Sequence, residues 1–458
     1  MLLAFVTSCS KVYTGQPNIG NNPAHTRGVP QFSYFSTSDV LENNDTQAII
    51  FVDIVDNSLI FKNYSDTLLS KVSLEHKIVN NEDSNVIDKK YNIIIGKSKN
   101  HKYYDYSSSY KEYAYKIAPG DYSLRITLTD LHTNLRTTKE IELKIPHPKQ
   151  SSFFLSDIRF FEKRESNTNY KSINGYNVNS DFDSLKFNYQ ITSNTKDNDF
   201  SIQSTLYTYN YDDAPAKPMS DRNFRASSIE YRGIDYVNEE IVERSSRKLY
   251  IDESITIEKN FTNLEKGNYR YEALIENSEG EKYFKIRDFS IKSKNYPYLN
   301  TASELARPLY YLMKNEEYQK INTFKSADSV KKAIDLFWLQ EIKNSVTAKK
   351  VIELYYQRVE ESNLQFSSFK EGWKTDLGMI YILFGPPMYV DQGFGKMTWY
   401  YEFDAGLVDP KIVFQDTRHM NTKFPFKNYI LVRSSDLFNL QYTQIQSWRD
   451  GSILKSVQ

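Results

Sequence analysis

From Gln31 to about Pro148 apolar and polar positions alternate with period two. Gln47–Val55, Lys71–Val79 and Tyr91–Ile95 are runs of this kind, separated by Asn, Asp and Ser, and each predicts a strand with one buried face. Ile117-Ala-Pro-Gly120 then reads as a turn that feeds a strand carrying Tyr122, Leu124, Ile126 and Leu128 on one side. A short connection and the run Thr138–Ile145 close the unit. The same grammar returns about 150 residues later, in Leu264–Asn277 followed by Lys282–Ile291. Gly120 aligns with Gly267 and Tyr122 with Tyr269, which points to an internal repeat at the scale of a domain.

The repeat predicts two tandem immunoglobulin-like β-sandwich modules, residues 31–148 and 149–294. In such sandwiches a tyrosine after the turn packs inward while its hydroxyl caps a loop. Ile145-Pro-His-Pro148 marks the joint, because proline cannot donate to a sheet ladder. Tyr207 to Arg247 is polar and tyrosine-rich and is expected to form a loop or an extra hairpin.

After Pro297 the period changes to 3.6. Leu305, Leu309, Leu312 and Met313 form one stripe; Val330, Ile334, Phe337, Trp338 and Ile342 a second; Val351, Ile352, Tyr355 and Val359 a third. Three amphipathic helices over roughly 301–366 are predicted. Residues 377–384 lie between strand and short helix, with strand preferred. Trp399–Phe403, Lys411–Gln415 and Tyr429–Val432 predict a small antiparallel sheet packed on the helices. The fold class is therefore mixed and mostly β, ending in an α+β domain over 295–458.

At 458 residues the chain exceeds what one hydrophobic core supports, consistent with several domains. Lys plus Arg and Asp plus Glu balance at 58 each, so no net field steers the chain to nucleic acid. The 36 tyrosines and 27 phenylalanines suit pleated, half-buried surfaces, or alternatively stacking platforms for sugars. One cysteine excludes an internal disulfide and a thiolate metal cluster. No later segment has the ~18 uninterrupted apolar residues of a membrane-spanning helix.

That cysteine, Cys9, follows Leu2–Val6 and stands in Val6-Thr7-Ser8-Cys9, which resembles a bacterial lipobox. The resemblance implies cleavage before Cys9 and acylation of its sulfur and new amine, an anchor of several buried chains. Only eight residues and no basic residue precede Cys9, so the true start is expected upstream of Met1. Residues 10–30 are rich in Gly, Pro, Asn and Ser, making 1–30 a signal remnant and flexible tether. A thiol on such a tail cannot be held against a base and an oxyanion hole.

Gly372-Trp373-Lys374-Thr375-Asp376, then Gly378, Ile380-Tyr381-Ile382 and Gly385-Pro386-Pro387, resembles the GWxTD domain of Bacteroidetes and other bacterial envelope proteins. Trp399 downstream and Phe337-Trp338 upstream also fit, and the resemblance covers about 300–458. Most members place Arg after the Asp; this chain has Leu377. The family resemblance implies an outer-membrane location, lipid-anchored and facing the periplasm or exterior. Physically, Thr375 or Asp376 suits the capping of the element that begins at Leu377, and Gly385-Pro386-Pro387 suits its termination.

Catalytic signals are sparse. His25, His76, His101, His132, His147 and His419 show no metal-ligand spacing, and no phosphate loop or nucleophile elbow occurs. Asp376 with Asp391, Asp404, Asp416 and His419 is the one set from which a carboxylate site can be assembled. The expectation is a non-catalytic envelope lipoprotein, without cofactor or metal, that binds envelope or secretion and assembly proteins. The alternatives are a glycan-binding surface lipoprotein and a hydrolase using Asp376.

Overall fold

The computed structural model describes residues 29–41, 45–98, 108–148, 153–165, 169–194, 199–220, 233–393, 395–401, 411–416 and 428–455. Alternating strands dominate the first part, as the period-two pattern requires. They run β1 (Gln31–Val40), β2 (Thr46–Val55), β3 (Lys62–Tyr64), β4 (Thr67–Asn80), β5 (Val86–Ser98), β6 (Ser108–Lys116), β7 (Gly120–Asp130) and β8 (Arg136–Ile145). One sheet has the order β1-β2-β6; the other has β3-β4-β7-β8, with β5 also on β4. Their inner faces share one core, in which Ile50, Val52 and Ile54 of β2 join Leu74, Leu124, Ile126 and Leu128.

A second two-layer unit follows. Its strands are β9 (Phe153–Leu155), β10 (Arg159–Lys163), β11 (Lys171–Ser172), β12 (Asn177–Asn179), β13 (Ser184–Ser193), β14 (Asp199–Tyr211), β15 (Ile234–Tyr250), β16 (Ser254–Phe261), β17 (Gly267–Asn277) and β18 (Lys282–Lys292). The orders are β11-β10-β13-β16, with β9 also on β13, and β12-β18-β17-β14-β15. Phe160, Phe187, Tyr271 and Phe289 meet in its core, with the Phe160 and Phe187 rings stacked at 4.6 Å. Of the segment from Tyr207 to Arg247, Tyr207–Tyr211 ends β14 and Ile234–Arg247 belongs to β15, and these two strands pair antiparallel.

The repeated turn carries the same bond twice. Tyr122 donates its hydroxyl proton to the Ala118 carbonyl at 2.8 Å, and Tyr269 donates to that of Glu265 at 2.9 Å. A Cβ at Gly120 would lie 3.5 Å from the Tyr122 ring, and one at Gly267 3.3 Å from the Tyr269 ring. Gly120 also has φ +151°, whereas at Gly267 the glycine serves the ring's space alone.

The C-terminal unit holds the helices: α1 (Ala302–Ala306), α2 (Asn315–Asn322), α3 (Ala327–Glu341), α4 (Ser345–Phe366), α5 (Asp376–Phe384) and α6 (Ser435–Asp450). Its sheet is β19 (Tyr389–Gly393), β20 (Lys396–Tyr400), β21 (Lys411–Asp416) and β22 (Tyr429–Leu431), antiparallel in that order. The first apolar stripe is split between α1 and a 3-10 turn at Arg307–Tyr311, where Pro308 withholds an N–H, and α2 was not expected. Residues 377–384 are helical rather than a strand. All eight are buried, so the run has no polar face to reveal its period, and the Thr375 cap decides the outcome. One core gathers α1 to α6 and the sheet, including Trp338, Trp373, Trp399 and Trp448.

Candidate functional site

The Gly372–Asp376 signature sits where α4, a 3-10 turn (Gly372–Lys374) and α5 converge. Asn344 starts α4 by accepting from Val346 and Thr347 backbone N–H groups, and the helix then runs 22 residues to present Ser362 and Asn363. The three backbones stack in direct contact there. A Cβ on Gly372 would lie 1.8 Å from the Ser362 carbonyl oxygen, and one on Gly378 1.9 Å from that of Gly372. No L side chain fits either place.

Polar groups fix this stack. Ser367 Oγ accepts from Gly372 N–H at 2.7 Å, and Asn363 Oδ1 accepts from Trp373 N–H at 3.2 Å. Thr375 donates to the Gly372 carbonyl at 2.7 Å and accepts from Gly378 N–H at 3.0 Å, so it is the N-cap of α5. Tyr311 donates to the Trp373 carbonyl at 2.6 Å. The Trp373 indole is buried and donates to Glu371 Oε2 at 3.1 Å.

Asp376 has a different task. Its Oδ2 accepts from Leu431 N–H at 3.2 Å and its Oδ1 lies 3.8 Å from Arg433, tying the start of α5 to the end of the sheet. Burial raises its pKa, and Arg433 partly offsets that rise. Leu377 is buried in the core, so the cation beside Asp376 comes from far along the chain.

At the other end of α5, Gly385 has φ +85°, and a Cβ there would lie 2.6 Å from Arg358 Nη2. The last carbonyls of a helix lack intrahelical donors. Here Arg358 donates to Ile382 and Leu383, while Trp448 and Gln444 also donate to Leu383. Tyr401 donates to the Gly385 carbonyl at 3.0 Å. Pro386 is exposed on the turn that follows, whereas Trp399 is fully buried on β20 with its N–H directed at Met397 Sδ.

A buried charge cluster joins the motif to the second sandwich. Burial opposes ionisation of Glu371, but Lys374, Lys266 and Lys292 outweigh it and hold the carboxyl at about 2. Lys374 reaches Asp213 at 2.7 Å, Lys370 reaches Asp212 at 3.2 Å, and Lys292 donates to the Ser368 carbonyl at 2.6 Å. Lys292 is fully buried, which pushes its pKa well down.

The connection after β14 reinforces this contact. Ala216 N–H donates to the Lys374 carbonyl, Arg433 to that of Lys217, and Met219 N–H to Gln441 Oε1. Met219 lies in the C-terminal core.

The expected carboxylate set does not assemble among the described residues. Asp391 is exposed on β19, Asp416 is buried at the end of β21, and Asp404 and His419 lie outside those residues. No group of three His, Cys, Asp or Glu able to hold a metal occurs among the described residues. Cys9 also lies outside them. Sequence reasoning missed Glu371, Arg358, Arg433 and α6. Only α6 carried a local signal, Ser434 ahead of Leu437, Gln441 and Trp448.

Two β-sandwich units continuous with an α+β unit, with the Gly-Trp-Lys-Thr-Asp turn at their contact, define a modular β-rich protein. Residues 274–450 match the family model of the GWxTD domain, so the chain carries that domain, and the match begins within β17. No curated protein matches the sequence. Among solved structures, dimeric latent PorU from Porphyromonas gingivalis aligns at 12% identity over 58% of this chain and 20% of that one, with TM-score 0.24. Red sea bream transglutaminase aligns at 8% identity over 58% and 32%, with TM-score 0.18. The chain spans about a fifth and a third of those proteins, and both TM-scores are too low to define a common fold.

Proposed function

We propose that this protein is a non-catalytic lipoprotein of the bacterial outer membrane, anchored through Cys9, that binds other envelope or secretion and assembly proteins. The observation that supports it is the use made of the motif. Gly372, Trp373, Thr375, Asp376 and Gly385 are all engaged in packing or internal hydrogen bonds, leaving a rigid body rather than a reactive centre. Exposed surfaces on such a body suit docking, with the lipid setting the address. Cys9→Ser should move the protein from the membrane to the soluble fraction, and pulldown of the lipidated protein from detergent-solubilised membranes should recover envelope proteins. Equal membrane retention of both forms without acyl labelling, or a pulldown with no envelope protein, would overturn the reading.

Glycan capture is a second reading, favoured by Tyr389 and Tyr400. Their rings lie 5.7 Å apart on β19 and β20, and Tyr389 is 63% exposed. A polysaccharide array bound by the wild type and lost on Tyr389→Ala would select it.

A further inference from the structure

β15 is the outer strand of its sheet, and among the described residues it pairs with β14 alone. It runs 17 residues without a proline, and Glu239 to Lys248 are exposed on both faces. An edge of this length offers a row of unpaired backbone donors and acceptors, which proteins normally blunt. Val237, Ile241, Val242 and Tyr250 are exposed along it as well, at 80%, 51%, 46% and 67%.

The charges on this strand are segregated. Glu239, Glu240 and Glu243 occupy its first half, and Arg244, Arg247 and Lys248 its second. Another edge of the molecule shows the ordinary alternative: β8 intersperses Arg136, Lys139, Glu140, Glu142 and Lys144 along its length. Interspersed charge discourages pairing with any strand. Segregated charge discourages most partners but favours one geometry. Laid antiparallel on a second copy of itself, β15 sets its acidic half along the basic half of the partner, twice over by symmetry. Parallel pairing would set like against like, which is unfavourable.

We propose that β15 is a homodimerisation edge, through which two copies join antiparallel about a twofold axis into one continuous sheet. Such an interface is isologous and closes after two subunits. It goes beyond the function proposed above and does not depend on it.

The test is sedimentation of the full chain across a concentration series, at low and high salt. The wild type should reach twice the 53.7 kDa chain mass, and less readily as salt rises. Glu239→Lys with Glu240→Lys leaves Glu243 as the one acid between residues 239 and 248 and makes that stretch strongly basic, and Arg247→Glu with Lys248→Glu leaves Arg244 as its one base and makes it strongly acidic. Each pair should weaken self-association by at least about tenfold while leaving the melting temperature unchanged, since all four side chains are exposed. An equimolar mixture of the two variants should restore a dimer, now a heterodimer. A monomeric wild type, dimers indifferent to both reversals, or a mixture that fails to associate would overturn the proposal. So would a monomeric wild type that instead binds a different protein and loses it on both reversals, which would assign the edge to a foreign strand.

Discussion

Gly378→Ala sets two well-known effects against each other inside α5. In an exposed helix the change gains about 1 kcal/mol of propensity. Here the new Cβ would lie 1.9 Å from the Gly372 carbonyl oxygen and 3.0 Å from Trp373 Cα, both backbone atoms that no rotamer change can move. Relief requires α5 to shift away from the 3-10 turn. That shift breaks the Thr375–Gly378 cap, worth about 0.5–2 kcal/mol, and adds an overpacking cost of about 1–3 kcal/mol. Net destabilisation should be about 0.5–4 kcal/mol, or a fall in melting temperature of roughly 1–15 °C for a unit of this size. All four tryptophans lie in the C-terminal core, so indole fluorescence follows that unit selectively. Gly393→Ala is the control, because its Cβ meets nothing within 4 Å, and it should change stability by less than about 0.5 kcal/mol. A Gly378→Ala protein as stable as the wild type, or more so, would refute the close-approach account of the motif.

Trp373→Ala should cost about 3–5 kcal/mol as a buried truncation, whereas Asp376→Asn, which keeps an acceptor for Leu431 N–H but loses the charge facing Arg433, should cost about 0.5–1.5 kcal/mol. Urea midpoints by fluorescence give the ranking; a fully stable Asp376→Asn that abolishes cellular function would instead favour the hydrolase. In the first sandwich, burial lowers the pKa of His76 to about 4, so its neutral form is favoured by folding. That contribution is complete above about pH 6.5 and is lost as pH falls toward 4, at up to about 1.4 kcal/mol per pH unit. Hydrogen exchange of β4 amides should report this slope, and a His76→Gln protein with the same slope would disprove it.

What could be read from the sequence was whatever a local period encodes. The strands around Ile50, Leu74 and Leu124 bury one face and expose the other, and both tyrosine corners follow from a glycine and a tyrosine two residues apart. The helix at 377–384 was not legible, because Ile380, Tyr381 and Ile382 favour strands and a run buried on every side has no amphipathic period. The motif's partners were hidden for another reason. Asp213 meets Lys374, and Lys217 meets Arg433, across more than 150 residues of chain, and such pairings leave no trace in either neighbourhood. Glycine at 372, 378 and 385 announced a constraint without saying which backbone or side chain imposed it.

The connection after β14 turns the junction between the last two units into a two-point attachment. A single covalent joint behaves as a swivel, but a second anchorage at Ala216–Met219 removes rotation about the first. Load applied to the C-terminal unit therefore passes into the β14–β15 hairpin as well as into the chain beyond β18. The final two units thus act mechanically as one rigid segment, in which a displacement of either end is transmitted to the other rather than absorbed at a hinge.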